Sequence, residues 1–170
     1  KYFGLAKGIA SLTAVADYIP VNADIIGANE HESHYVFDLL YHNDTRVKPD
    51  VHSTDSHGIN QLNFAILDMF GYRFAPRYRD ISSKVKTIYS FEQPSNYQDY
   101  VIKPIRKFNE ELITQEWDAI QRIIVSLAQK HTSQSTIVKK LSSFKRNNSV
   151  RKAIVEYNAI IETYHKLSYI

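Results

Sequence analysis

HSTDSHG, His52 to Gly58, is the stretch on which the reading of this chain turns. Before it, VKPDVHSTD (47–55) has the look of a short strand whose Pro49 must lie early, because proline cannot donate to a ladder. After it, Ile59, Leu62, Ile66, Met69 and Phe70 recur at helical spacing until Gly71 stops them. Strand, polar loop and helix in that order form part of an α/β unit, with Asp55 where the strand ends. That edge is where open α/β sheets bind ligands. The local residues leave two readings open: Asp55 or Ser56 is merely the N-cap of the adjoining helix, or Asp55 is the ligand of a metal ion.

Working outward, YRFAP (72–76) gives another short strand beyond the helix. Upstream, residues 8–18 alternate, with Leu12, Ala14, Ala16 and Tyr18 on one face and Ser11, Thr13, Val15 and Asp17 on the other. Pro20 and Asn22 are expected to turn the chain, and VNADIIGA (21–28) to return as the second strand of a hairpin. Asn29 and Glu32 have capping-box spacing and predict a helix burying Val36, Leu39 and Leu40, ended by His42-Asn43-Asp44. From residue 97 the period is helical almost throughout, through Ile105, Phe108 and Leu112, then Trp117, Ile120, Ile124 and Leu127, then Ile137, Val138, Leu141 and Phe144. A last run carries Val150, Ile154, Tyr157, Ile161, Tyr164 and Leu167. The order is β-β-α-β-α-β and then helices, an α/β half followed by a helical half.

Composition narrows the class. A chain of 170 residues, 44% hydrophobic and 23% charged, can bury a core as an ordinary globular domain. It has no cysteine, which excludes disulfides and thiolate metal sites and suits a reducing cytosol. No apolar run reaches the roughly 18 residues of a membrane span. A net charge of +3 leans weakly towards polyanions. Lys1 is not a natural start, and the closing helical pattern is still in period at its end, so the chain is expected to be a piece of something longer.

Other groups invite chemistry. HESH (31–34) evokes a zinc protease, but its histidines stand at i, i+3 where that motif needs i, i+4, so it reads as a solvated helix face. Arg73, Arg77 and Arg79 share one parity, and an extended backbone would point them the same way. Such a row, with Lys84 and Lys86 after it, suits phosphate contacts or a charged edge strand kept from aggregating. The pairs around Lys103, Arg106 and Lys107, Lys139 and Lys140, and Lys145 and Arg146 are interrupted by acids and read as wet faces. Trp117, at helical spacing, reads as core. There is no glycine-rich phosphate loop.

Taken together, HSTDSHG and GYRFAPRYRD, with KYFGLAKG upstream and NEHESHYVFDLLYHN between, resemble the transposase of the bacterial class II replicative transposons, the Tn-three family. STDSHG and FAPR at their short separation are the most specific pieces, and the resemblance runs along essentially the whole chain. It implies a DDE catalytic domain in which two aspartates and a glutamate hold two Mg²⁺ ions. Asp55 matches the second aspartate. The first would precede Lys1 and the glutamate would follow Ile170; Asp17, Asp24, Glu156 and Glu162 match neither.

The implied fold class is α/β: a partial RNase H-like fold, a mixed sheet with flanking helices, over 1–95 and lacking its first strand, followed by an all-helical insertion over 96–170. The implied function is metal-dependent 3′-end cleavage and strand transfer of transposon DNA in replicative transposition. Asp55 would be the catalytic metal ligand, His57 would orient the site from behind it or touch DNA, and Arg73, Arg77 and Arg79 would contact DNA. Transposon ends and target DNA are the expected partners, with self-association, no membrane, and a place in the bacterial cytoplasm on DNA. A non-catalytic DNA-binding or assembly module, and a nuclease of the same fold, are the rival readings. In an RNase H-like sheet the missing strand is central, so strands 8–18 and 50–55 should either pair directly or be bridged by another chain.

Overall fold

The computed structural model describes residues 8–143 and 148–170. The expectations on KYFGLAK at the start and on Phe144, Lys145 and Arg146 fall outside them.

Strands β1 (Ile9–Ala16) and β2 (Ile19–Gly27) form the antiparallel hairpin, with Ile9 opposite Gly27. Its turn is Asp17-Tyr18, both left-handed at φ 48° and 66°, and not Pro20 and Asn22. A two-residue turn of that hand matches the twist of the strands it joins. Pro20 lies inside β2 opposite Val15, where the register shifts. The expected capping box is also absent. A 3₁₀ turn, Glu32–His34, precedes helix α1 (Val36–Tyr41), and no side chain of the entering segment caps it. Gln134, far along the chain, accepts the Phe37 amide at 2.8 Å instead.

Strand β3 (Val51–His52) pairs in parallel with β4 (Arg73–Phe74), the two joined through α2 (Asn63–Met69). Gly71 ends the helix at φ 79°. The amides of Arg73, Ala75 and Arg77 donate to the carbonyls of Asp50, His52 and Thr54 at 3.1, 2.8 and 2.8 Å. These evenly spaced bonds are the pattern of a parallel pair, and they carry the ladder to the residue before Asp55.

Beyond lie α3 (Ile81–Val85), β5 (Tyr89–Ser90), β6 (Arg106–Lys107), α4 (Glu110–Gln115), α5 (Trp117–Ala128), α6 (Gln134–Ser143) and α7 (Ser149–Leu167). The second half is therefore not all helical. Pro104 precedes a segment whose Ile105 and Phe108 amides bond Ile88 and Ser90, pairing β6 in parallel with β5. Phe108 is buried as its hydrophobicity demands, but from the end of a strand. Trp117 is 36% exposed, tilted against Tyr157, and is not core.

One apolar cluster joins both halves: Phe37, Phe64 and Leu67 pack with Ile120, Leu127, Leu141 and Ile154. Inside it sits a polar knot. The Gln134 amide donates to both carboxylate oxygens of buried Asp38 at 3.0 and 2.9 Å, and its side chain reaches Ser33 and Asn63. Burial raises the Asp38 pKa against these bonds, which lower it.

Among the described residues the hairpin and the β3–β4 pair are separate two-stranded sheets. Direct pairing of strands 8–18 and 50–55 does not occur. A cleft of about 670 Å³ separates them, with Leu12 and Ala14 on one wall and Val51 and Ser53 on the other. Helix α1 explains the separation. Its Val36, Leu39 and Leu40 line the cleft, and Asn22 Nδ2 donates to the Leu39 carbonyl at 2.7 Å, tying the hairpin to the helix.

Candidate functional site

Of the two roles open to Asp55, the structure shows the cap. Its backbone is extended, and its Oδ1 accepts the His57 amide at 2.9 Å, capping the 3₁₀ turn Ser56–Gly58. That cap uses one oxygen. Oδ2 accepts no hydrogen bond among the described residues, and the exposed residue lines the cleft. A cap that fixes the side chain while leaving one carboxylate oxygen unengaged is compatible with holding a cation.

The loop around it is tightly built. Gly58 is buried beneath Thr54, and an added Cβ would stand 2.5 Å from Thr54 Cβ, so only glycine lets the loop close. Asn60 Oδ1 accepts the amides of Leu62 and Asn63 at 2.8 and 3.0 Å, supplying the start of α2 with its acceptor. Asn63 Nδ2 donates to the carbonyls of Gly58 and Ser33 at 2.6 and 3.0 Å.

The ladder sets the neighbours. Val51 faces Arg73 and His52 faces Phe74. Continued along the bonds to Thr54, that register puts Asp55 opposite Arg77. Side chains alternate across a strand, so exposed Val51, Ser53 and Asp55 share a face with Arg73, Ala75 and Arg77. His52, Thr54, Phe74 and Pro76 turn towards the core. Arg79 is exposed past the ladder's end, just before Asp80 caps α3. The His57 ring is exposed; only its amide meets Asp55.

His52 escaped the sequence reading, although its parity with Phe74 was visible. It stacks on Phe74 at 6.2 Å between centroids, and burial pushes its pKa down to about 4, so it is neutral near pH 7. Asp17 and Glu32 line the same cleft. Among the described residues no three His, Asp or Glu side chains gather as a metal site. Asp55 thus suits Mg²⁺ as one hard oxygen ligand, and the described residues do not supply the rest.

Other basic groups differ in kind. Arg106 makes a bidentate pair with Glu156 at 2.9 and 2.8 Å and lies 4.1 Å over the Tyr89 ring, so it ties α7 to the β5–β6 pair. Lys84, Lys86 and Lys103 are exposed. In HESH the two rings stack at 5.5 Å, and Ser33 Oγ bonds His31 Nδ1 at 2.8 Å.

No helix among the described residues is long and apolar enough to cross a membrane. The family model described as Tn3 transposase DDE domain matches residues 1–170. The transposase for transposon Tn1546 of Enterococcus faecium is 28% identical over 170 residues, 99% of this chain. The transposase for transposon Tn2501 of Escherichia coli is 30% identical over 168 residues, 98% of this chain. The chain spans 17% of the length of each of these relatives.

Proposed function

Because the chain belongs to the Tn3 transposase DDE domain family, we propose that Asp55 is one acidic metal ligand of a DNA transposase that cleaves transposon 3′ ends and transfers them to target DNA. The observation that supports this most is an exposed carboxylate, fixed by its own cap at the tip of a parallel strand, with Arg77 across the ladder from it. Two Mg²⁺ ions at such a site would activate the attacking oxygen and stabilise the leaving one. The chain's part is to present Asp55 as a hard oxygen donor in a fixed place. Arg73 and Arg77 on the same face, and Arg79 beyond, attract DNA phosphates without reading sequence. His57, tethered through its amide, has an exposed ring with which to orient the site or touch DNA. The remaining acidic ligands come from outside the described residues, and transposon ends and target DNA are the partners, with self-association of the transposase.

The fold reading that goes with it is an RNase H-like core over 1–95, interrupted by an insertion over 96–170. A further extended segment would complete the sheet in the cleft. Edge chemistry supports this. On β2 the amides of Ala23 and Ile25 are taken by the adjacent Asn22 and Asp24 side chains at 2.9 and 2.8 Å, which blocks that edge. No side chain shields β1 in that way among the described residues, and β1 supplies most of the hairpin residues that line the cleft.

One observation favours a non-catalytic assembly role for the isolated chain: among the described residues no group of three His, Asp or Glu side chains forms around Asp55. The deciding experiment places Asp55→Ala in a transposase containing this chain. Strand transfer should vanish while binding to transposon ends persists; retained transfer removes the assignment.

A further inference from the structure

The peptide unit between Pro76 and Arg77 is held at both ends. Its N–H donates to the Thr54 carbonyl, one residue before Asp55, at 2.8 Å. Its carbonyl lies within hydrogen-bond distance of His165 Nε2 at 3.1 Å and accepts from the Tyr169 hydroxyl at 3.2 Å. His165 lies in the last turn of α7 and Tyr169 just beyond the helix, 89 and 93 residues further along the chain. A peptide is planar, so fixing its carbonyl also fixes the aim of the Arg77 amide and the start of the Arg77 side chain.

His165 is suited to this work. It is 7% exposed, and its ring packs against Phe64, Tyr78 and Tyr169 with centroids 5.5, 5.6 and 5.2 Å away. Tyr78 is in turn bonded to Glu162 on α7 at 3.3 Å. Burial and nearby Arg73 lower the His165 pKa, while the Pro76 carbonyl and Glu162 raise it; burial is the largest effect and keeps the ring neutral. A neutral imidazole with its proton on Nε2 donates to the carbonyl and leaves Nδ1 unprotonated.

We propose that His165 and Tyr169 are positioning residues, which hold the Pro76–Arg77 peptide so that Arg77 stays beside Asp55 when DNA is bound. The proposal rests on Asp55 acting in strand transfer. Through this contact the helical segment, and not only the α/β half, sets the geometry of the reacting face.

The test uses a transposase containing this chain, transposon-end DNA and Mg²⁺. His165→Leu combined with Tyr169→Phe removes both donors while keeping the bulk. At saturating DNA and Mg²⁺ the transfer rate should fall about ten- to a hundredfold, the scale of a small misplacement of a reacting group. End-binding affinity should fall no further than it does for Arg77→Ala, so at saturating DNA the loss is one of rate. Restoring a donor with His165→Gln in the Tyr169→Phe background should recover most of the rate, which a loss of packing alone would not allow. A wild-type rate in the double variant, or a loss that glutamine does not repair, overturns the proposal. Should the double variant fail to fold, Tyr169→Phe alone deletes one hydroxyl of a half-exposed residue and must still slow transfer; an unchanged rate there overturns it too. Asp55→Asn run in parallel separates the two levels. If it is inactive while the double variant is normal, only the positioning role falls; if it is active, the reading beneath falls as well.

Discussion

Replacing Gln134 by leucine should be among the most damaging single changes outside the reacting face. The side chain is fully buried. Its Oε1 accepts the Phe37 amide at 2.8 Å, and its Nε2 donates to the Ser33 carbonyl and Asn63 Oδ1. Ser33 keeps two other donors, Asn60 and Asn63. Leucine therefore strands two groups, the Phe37 N–H at the start of α1 and Asn63 Oδ1. At about 1–3 kcal/mol for each buried orphan, the cost is about 2–6 kcal/mol. Apolar burial of leucine offsets roughly 1–2 kcal/mol of that, leaving a net loss of about 2.5 kcal/mol at the middle of both ranges, against the roughly 5–15 kcal/mol typical of a whole domain. Urea unfolding of the 170-residue chain, followed by Trp117 fluorescence, measures it as a fall in midpoint at constant slope. A loss under about 0.5 kcal/mol, the size of an ordinary surface substitution, would refute the reasoning. The double variant with Asn63→Leu should cost less than the sum of the singles, because it removes one of the stranded groups.

Other consequences are equally open to measurement. His52 has a folded pKa of about 4 against an ordinary 6.5, so the unfolded chain binds more protons between those values. Stability should therefore fall as pH drops from about 6.5 to about 4, by up to about 3 kcal/mol, and His52→Phe should remove much of that slope in urea titrations at pH 7 and 5. Arg77→Ala should weaken binding to all DNA sequences alike and reduce the salt slope of log K by about 1, measured by fluorescence anisotropy across salt concentrations. Amides on the cleft edge of β1 should exchange rapidly in the 170-residue chain and become protected in a transposase that completes the sheet. Equal protection in both would count against the missing strand.

Much of this organisation was legible in local sequence. Period-two alternation located the hairpin, and the strand-loop-helix around HSTDSHG located Asp55 at a strand tip, because both signals lie within a few residues of what they specify. Asn29 and Glu32 misled because the amide at the start of α1 is taken by Gln134, and a partner nearly a hundred positions away leaves no local trace. Pro20 misled for a related reason. The turn is decided by the left-handed pair Asp17-Tyr18, and an edge strand tolerates proline where its register slips. Ile105 and Phe108 fit a helical period by coincidence: they flank the two-residue strand Arg106–Lys107, where alternation leaves Ile105 exposed and buries Phe108. At the site, Asp55 and Arg77 could be named from motifs. Their pairing across the ladder, the neutral His52 and the grip of His165 on Pro76 depend on parallel register and tertiary packing, which one chain's sequence does not print.

The most direct measurement exchanges the proposed ligand for a softer one. In a transposase containing this chain, Asp55→Cys should abolish strand transfer with Mg²⁺, which prefers hard oxygen, and recover part of it with Mn²⁺, which tolerates sulfur better. End binding should be unchanged throughout. Full transfer by the cysteine variant in Mg²⁺ would mean that the carboxylate at the tip of β3 holds no metal, and that Asp55 is only the cap of its turn.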